Sequence, residues 1–160
     1  MNEIPIKCFS VSAVLLKYEN DNAKVLLLRR IEGSIFGNEW CHIAGNIEQG
    51  ETARQAVLRE IMEETGLKPE ILYSANFCEQ YYRPDLECIS VLPVFVGIIS
   101  DNQSINLNYE HAEYKWVTIS EARNMVVLPV QRFVLDYIQK GFIDNQPSEW
   151  LKIELTPHFI

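Results

Sequence analysis

Three glutamates stand close together within residues 45–67, which read GNIEQGETARQAVLREIMEETGL. Glu60, Glu63 and Glu64 have i, i+3 and i+4 spacing, so on a helix their side chains are neighbours. Carboxylate oxygens are the ligands that hard divalent cations prefer. The spacing therefore predicts an oxygen-rich metal site, and a metal held there could orient phosphates and activate water.

The residues around these glutamates predict the element that holds them. Thr52 followed by Gln55 fits a capping box, so a helix should begin at about Ala53. Gly66 suits the left-handed position after a helix, and Pro69 cannot continue one. The sequence therefore predicts a loop, a helix of roughly three to four turns, and a second loop.

The predicted helix has an apolar stripe that begins at Ala53. At about 100° per residue, Glu60 and Glu64 fall within about 20° of Ala53, and Glu63 lies at the edge of the stripe. A solvated acidic helix, whose charges only keep it soluble, is the alternative. It does not explain two carboxylates on the packed side, where charge is costly unless paired or metal-bound.

Arg59 is expected to point away from these carboxylates. It lies about 100° around the helix from Glu60, so it should not share that direction. A bidentate guanidinium could instead brace Glu51 and hold the first loop against the helix.

The whole stretch resembles the Nudix box, G-x5-E-x7-R-E-U-x-E-E-x-G-U with U aliphatic, and every specified position matches. The resemblance implies a hydrolase that cleaves a pyrophosphate linkage by water attack on phosphorus, with Mg²⁺ or Mn²⁺ as cofactor. The box residues that it implies as catalytic or metal-binding are Arg59, Glu60, Glu63, Glu64 and Gly45, the last through its backbone or that of Ala44. Structural roles in the box are implied for Gly45, Glu51 and Gly66.

A base must also take the proton of the attacking water. In Nudix proteins this role moves between a box glutamate and a glutamate in a later loop. Glu110, six residues before Trp116, is the best outside candidate for metal binding or catalysis, and Glu113 is the second. Each could instead be an exposed loop carboxylate. His111 could also act, although an exposed histidine beside a strand usually has no such role.

Substrate contacts are predicted from position alone. Arg29 and Arg30 end a predicted strand, and because strand neighbours point to opposite faces, only one should reach a phosphate. Aromatic residues in strands are more often part of the core. Four further residues could stack on or clamp a base: Trp40, Tyr81, Tyr82 and Arg83.

The remaining sequence predicts an α/β (α+β) fold with a mixed sheet covered by helices on its faces. Predicted strands are 10–18 and 25–30, which form a hairpin, then 40–44, 71–82, 86–99 and 113–117. A short helix at 121–125 should be capped by Ser120, and another at 129–140 should be ended by Gly141. The resemblance implies the Nudix αβα sandwich, with the box helix on one face.

At 160 residues and 48% hydrophobic content, the chain is expected to form one domain, 1–160. Its core should cover about 9–142, followed by a C-terminal extension at 143–160. The extension could form a final strand or cross onto a partner, and packing on its own domain is favoured. Nudix proteins are often homodimers, and the extension could serve such contacts.

Composition excludes several classes. The net charge of −8 argues against binding of duplex nucleic acid. No apolar run approaches the roughly 20 residues that a membrane span needs, and no signal peptide is evident. The four cysteines are widely spaced without a C-x-x-C pair, which is typical of reduced residues in a cytoplasmic protein rather than of a zinc site or a disulfide frame.

The substrate is expected to be a small nucleotide or nucleotide-like molecule. Many Nudix enzymes begin the box with Gly-Gly and often a lysine, whereas this chain has Ala44-Gly45-Asn46, which argues against the cleaning of oxidised purine triphosphates. The runs WCHIAGNIEQGE and EHAEYKW are similar to the branch acting on dATP-like or dihydroneopterin triphosphates. ADP-ribose or a nucleotide sugar, and a Nudix-like module that senses nucleotides without cleaving them, are the alternatives.

Overall fold

The computed structural model of this chain describes residues 3–155. In this part of the chain the strands are β1 Ile6–Lys7, β2 Ser10–Glu19, β3 Asn22–Arg30, β4 Trp40–Cys41, β5 Ile43–Asn46, β6 Ile71–Arg83, β7 Cys88–Ile98, β8 His111–Val117 and β9 Lys152–Ile153. The helices are α1 Ala53–Thr65, α2 Ile119–Met125 and α3 Pro129–Ile138. None of these helices is long and apolar enough to cross a membrane.

The strands form one mixed sheet. Along its main path the order is β4-β3-β2-β7-β6-β9, with β1 on β7, β5 on β2 and β8 on β3. Strand β7 runs parallel to both β1 and β2, and the other pairs are antiparallel. The predicted hairpin is confirmed as β2 and β3, joined at Asn20 and Asp21, which have φ of 48° and 63°. Asn and Asp tolerate this left-handed backbone, so they permit a tight hairpin turn.

Helices cover both faces of the sheet, which confirms the predicted fold class. Alternate residues of β2 face opposite sides because successive strand side chains do so. One set packs with α1 and includes Val11, Ala13 and Leu15. The other set packs with α2 and α3 and includes Val14 and Leu16. The sheet therefore carries a separate apolar core on each face.

The strand predicted at 40–44 is broken in two. Trp40 and Cys41 pair with β3, whereas Ile43 and the residues after it pair with β2. His42 lies at the change of partner. The prediction missed this break because periodicity shows that a segment is extended but does not show which strand it joins.

Two helix ends differ from the predictions. The cap of α2 is Thr118 rather than Ser120: its side chain accepts a hydrogen bond from the backbone N–H of Glu121, whose own side chain completes a capping box. The helix after Pro129 ends at Ile138 and continues as a π-helical turn, Gln139–Ile143. Gly141 lies inside that turn, so it does not end the helix as predicted.

The C-terminal extension packs on its own domain as far as the structure describes it. A 3₁₀ turn, Glu149–Leu151, leads into β9, which pairs antiparallel with β6. Leu151 and Ile153 contact the two apolar cores. The predicted extension continues to 160, and its part at 156–160 lies outside the described residues. All four cysteines are within the described range, and none forms a disulfide.

Candidate functional site

Helix α1 begins and ends where its sequence predicts. The Thr52 side chain accepts a hydrogen bond from the backbone N–H of Gln55, and the Gln55 side chain accepts from the backbone N–H of Thr52. Gly66 follows the helix with φ of 72°, a left-handed conformation that glycine adopts without a steric penalty. These two ends fix which residues of the helix face the sheet.

The three box glutamates differ in exposure as their positions on the helix predict. Glu64 is 4% exposed and lies on the packed face with Val57 and Ile61. The side chain of Glu60 is 13% exposed, whereas that of Glu63 is 55% exposed. Glu60 and Glu64 are thus the two carboxylates that α1 turns inward.

Arg59 connects the first loop to the helix. Its Nε and Nη2 donate to the two carboxylate oxygens of Glu51 at 2.8 and 2.9 Å, and Nη2 also donates to the Asn46 carbonyl at 2.8 Å. The hydrogen bonds of Arg59 lower the pKa of Glu51 to about 2. In turn, the Glu51 carboxylate raises the pKa of Arg59 further.

The expectation that Arg59 points away from Glu60 is wrong. Its Nη1 donates to Oε1 of Glu60 at 2.7 Å and to Oε2 of Glu63 at 3.2 Å. A guanidinium on a long, flexible stem reaches well beyond the direction of its own Cβ, which is what the helical angle describes. Arg59 therefore contacts three of the acidic side chains in the box.

Gly45 is required where Glu60 approaches the backbone of β5. A Cβ built at Gly45 would lie 1.9 Å from the carboxyl carbon of Glu60, far inside van der Waals contact. Any side chain at this position would displace the carboxylate. The backbone of β5 and the Glu60 side chain thus form one closely packed wall.

The carboxyl group of Glu64 has the largest pKa shift among the acidic side chains of the described chain. Burial chiefly, together with the carboxylates of Glu60 and Glu110, raises its pKa to about 9 against the opposing effect of Arg30. Its Oε2 is buried and has no hydrogen-bond partner. Burial also raises the pKa of Glu60, although Arg59 opposes this. The site holds acidic groups whose charges are unfavourable without a nearby cation.

The loop before β8 brings Glu110 to the same place. Its carboxylate lies 3.6 Å from an Nη of Arg30, and its carbonyl accepts from the backbone N–H of Ile31 at 3.0 Å. Asn108 accepts from the backbone N–H of Glu110 and contacts Nδ1 of His111. His111 was expected to be exposed, but it is buried, and burial lowers its pKa to about 4, with Arg30 adding to the effect. It is therefore neutral at pH 7.

These groups line a cleft of about 320 Å³. The lining residues are Arg30, Ala44, Gly45, Asn46, Glu48, Arg59, Glu60, Glu64 and Glu110. The sequence did not predict Asn46 or Glu48 as site residues. Cys41, also missed, lies near Glu64 and Arg30, and burial raises the pKa of its thiol to about 12. A lone cysteine or a polar loop residue has no spacing pattern that could have marked it.

Several predicted residues lie outside this cleft. Arg29 contacts Glu113 at 3.1 Å and Asn38 at 3.1 Å, so of the two arginines only Arg30 lines the cleft. Trp40 packs against the core on the α3 side, and the ammonium group of Lys115 lies 5.0 Å from its ring centre. Neither Arg29 nor Trp40 lines the cleft.

Tyr81, Tyr82 and Arg83 line a second, larger cavity. This groove of about 530 Å³ is lined by Phe36, Tyr81, Tyr82, Arg83, Pro84, Asp85, Leu128, Pro129 and Val130. Its walls come from the loop after β3, the end of β6 with the turn that follows it, and the start of α3. Apart from the Arg83–Asp85 ion pair, the walls are mostly aromatic or aliphatic.

The residues of the cleft fit a divalent cation in their chemistry. They offer carboxylate and carbonyl oxygens, and the partnerless Oε2 of Glu64 is the kind of buried atom that a cation would satisfy. Within 3–155, no three acidic, histidine or cysteine side chains already converge as a ligand set. Arg59 holds Glu60 and Arg30 holds Glu110, so these carboxylates would have to turn toward an ion.

A mixed sheet between helices, with a carboxylate cleft on a capped helix that follows a glycine loop, defines the Nudix class of folds. The Nudix domain model matches residues 9–137, and the chain belongs to the Nudix hydrolase family.

Known proteins share both the sequence and the fold. Nucleoside triphosphatase NudI of Klebsiella pneumoniae is 26% identical over 113 residues, covering 66% of this chain and 80% of that protein. RNA pyrophosphohydrolase of Psychromonas ingrahamii is 36% identical over 118 residues, covering 62% of each. A structure from Listeria monocytogenes described as a Nudix hydrolase superposes with a TM-score of 0.72 at 19% identity, covering 85% of this chain and 94% of that one. This last likeness shows the fold alone.

Proposed function

We propose that the chain is a divalent-metal-dependent pyrophosphohydrolase acting on a nucleoside triphosphate or a related small molecule with a diphosphate linkage. The observation that carries the proposal is the buried Oε2 of Glu64, which has no partner and lies in a cleft with Glu60 and Glu110. The names of the relatives, a nucleoside triphosphatase and an RNA pyrophosphohydrolase, support the reaction class.

The acidic residues of the cleft would hold the metal. Glu60, Glu64 and Glu110 would be ligands through their carboxylates, Gly45 through its carbonyl, and the more exposed Glu63 through water. Bound Mg²⁺ or Mn²⁺ would neutralise phosphate charge and lower the pKa of a bound water. Glu60 would turn from Nη1 of Arg59 toward the ion, while the bidentate contact of Arg59 keeps Glu51 fixed.

Hydrolysis needs a base and an anion contact. A carboxylate, for which Glu110 is the outside candidate, would take the proton as the water oxygen bonds to phosphorus. The bridging P–O bond then breaks, and the leaving phosphate keeps its electron pair. Arg30 lines the cleft beside Glu110, so its guanidinium can contact a phosphate oxygen.

The groove would hold the ring of the substrate. Its aromatic side chains from Phe36, Tyr81 and Tyr82 suit a planar heterocycle, and Arg83 could clamp its edge. A volume of about 530 Å³ accommodates a base or a pterin. Arg29 and Trp40, which lie outside both cavities, are not assigned to the substrate.

The test is hydrolysis of a panel of diphosphate compounds with Mg²⁺ or Mn²⁺ and a chelator control. The panel contains nucleoside triphosphates, dihydroneopterin triphosphate, ADP-ribose and dinucleoside polyphosphates. A duplicate set with inorganic pyrophosphatase separates release of pyrophosphate from release of single phosphate. Preferred turnover of dATP or dihydroneopterin triphosphate would support the branch that the sequence resembles, whereas ADP-ribose would support the alternative.

Glu64→Gln should lower turnover at least about 100-fold without unfolding the protein, because the amide cannot supply an anionic ligand. Glu70→Gln removes the same charge from an exposed residue outside the cleft and should leave turnover unchanged. Wild-type activity in Glu64→Gln would overturn the proposed metal site. Metal binding with no turnover across the panel would instead favour a nucleotide-sensing module.

A further inference from the structure

His42 and Glu79 form a buried polar pair that lines neither the cleft nor the groove. Nε2 of His42 is 2.9 Å from Oε1 of Glu79, and the two side chains are 1% and 6% exposed. Nδ1 of His42 has no partner. The Nε2–H tautomer, donating to the Glu79 carboxylate, therefore fits the contacts.

The pair joins parts of the sheet that no strand ladder of the described chain joins. His42 is the residue at which the chain leaves β3 and begins to pair with β2. Glu79 lies on β6, whose described partners are β7 and β9. The hydrogen bond thus ties the break between β4 and β5 to a strand on the far side of β2 and β7.

The segment just after the break is the wall of the cleft. Ala44 and Gly45 line the cleft, two and three residues beyond His42. Gly45 packs against the Glu60 carboxylate so closely that a Cβ would lie 1.9 Å from its carboxyl carbon. A small shift of this segment would therefore move either the Gly45 carbonyl or the Glu60 carboxylate.

We infer that His42 and Glu79 are positioning residues for the cleft. Their hydrogen bond holds the strand break in one place, and the break sets the position of Gly45 against Glu60. This inference rests on the proposed function, since it concerns how the metal-binding wall is held. Because neither residue lines the cleft or the groove, we assign neither of them a contact with the substrate or with an ion.

A contribution to stability does not by itself explain why two polar side chains are buried together here. Replacing both partners of a buried hydrogen bond with apolar groups of the same shape can be nearly neutral or stabilising, whereas removing one partner leaves a costly unpaired group. A double replacement therefore separates positioning from folding. His42→Leu together with Glu79→Leu keeps an apolar interior and should fold, but it removes the directional link.

The experiment measures Mn²⁺ affinity by electron paramagnetic resonance, together with kcat and KM for the best substrate of the panel. We expect the double variant to bind Mn²⁺ about 10-fold more weakly and to lose about 10–100-fold in kcat, the range found for groups that orient ligands. KM should change less than kcat because the groove and Arg30 are untouched. His42→Gln, whose amide can donate to Glu79, should recover most of both losses.

Val134→Ala is the matched control, because it removes buried volume from the core beside α3 and should cost stability without changing kcat. If the double variant folds and keeps wild-type Mn²⁺ affinity and kcat, the pair has no positioning role and the inference is wrong. If the wild type itself neither binds Mn²⁺ nor hydrolyses any compound, the proposed function fails instead.

Discussion

At the scale of single residues, two arginines pair with the acids of the cleft: Arg30 contacts Glu110, and Arg59 contacts acids of the box. Arg59 contacts Glu51, Glu60 and Glu63, and it holds the loop and the helix as one unit. Glu64 has no such contact and depends on what enters the cleft. The Arg59 guanidinium therefore contacts three acids of the box, and the buried Oε2 of Glu64 has no hydrogen-bond partner in the described chain.

The contact between Glu51 and Arg59 predicts a pH dependence of stability. The pKa of Glu51 falls from an ordinary 4.5 to about 2 in the folded state, chiefly through its hydrogen bonds from Arg59. A lowered folded-state pKa stabilises the protein above pH 4.5, and the effect is lost as the pH falls through about 2. Denaturant midpoints of wild type and Glu51→Gln should differ at pH 6 and converge near pH 2. An equal difference at both values would contradict the assignment.

Replacing Gly45 should impair activity by steric displacement of Glu60, not by removal of a chemical group. Gly45→Ala would force the new Cβ onto the carboxyl of Glu60, so turnover should fall by about 100-fold, the cost of misplacing a reacting group by about 1 Å. Gly141→Ala is the matched control because a Cβ there meets nothing within 4 Å. The measurement is kcat for both variants with circular dichroism to confirm folding. Equal activity in the two would contradict the close packing.

The sequence predicted the box carboxylates because their spacing is local to one helix. Glu60 and Glu64 fall on the inward face at any standard helical geometry, and the structure turns both inward. The reach of Arg59 to Glu60 and the burial of His111 were predicted wrongly. Both depend on side-chain rotamers and on a distant loop, which no local spacing records.

At the scale of elements, ends were easier to predict than pairings. The capping box of α1 and the glycine after it use residues within a few positions of each other, so they could be identified from the sequence. The break at His42 follows from which neighbouring strands the chain meets. The π-helical turn after α3 was missed because such turns are rare, so the residues after Ile138 were interpreted as a continuation of the α-helix.

The two capping boxes predict similar stability effects with different consequences for activity. Thr52→Ala and Thr118→Ala should each lower the free energy of unfolding by about 1 kcal/mol, since each leaves a helical N–H without its acceptor. Only Thr52 adjoins Glu51, whose carboxylate contacts the cleft residue Arg59, so only Thr52→Ala should also lower kcat. Urea denaturation and steady-state kinetics check both. Loss of activity in Thr118→Ala alone would contradict this view.

At the scale of the whole molecule, the described chain carries two cavities of different chemistry. The acidic cleft borders α1 on one core, and the apolar groove borders the start of α3 on the other. The net charge of −8 does not prevent binding of polyphosphate when a divalent ion lies between the carboxylates and the phosphate oxygens. Under the proposed function, the phosphates of the substrate would lie in the polar cleft and its ring in the apolar groove.

The C-terminal extension predicts a separation of stability from activity. Leu151 packs on the core beside α3 and precedes the two residues of β9, so Leu151→Ala should lower the free energy of unfolding by about 1–3 kcal/mol. Its neighbour Trp150 is 96% exposed, and Trp150→Ala should change stability by less than about 0.5 kcal/mol. Both variants should keep wild-type kcat, because neither residue lines the cleft or the groove.

Replacing Trp150 also tests whether the extension forms the contact of a homodimer. A large exposed aromatic side chain is a common anchor of protein interfaces. If the extension forms such a contact, sedimentation equilibrium should show a dimer in the wild type that dissociates in Trp150→Ala, while Leu151→Ala dissociates only where it unfolds. A wild type that is monomeric at all concentrations, or a dimer that Trp150→Ala leaves intact, would assign the extension to intramolecular packing alone. In the described part of the extension, the strand pairing of β9 with β6 would be the contact that holds it.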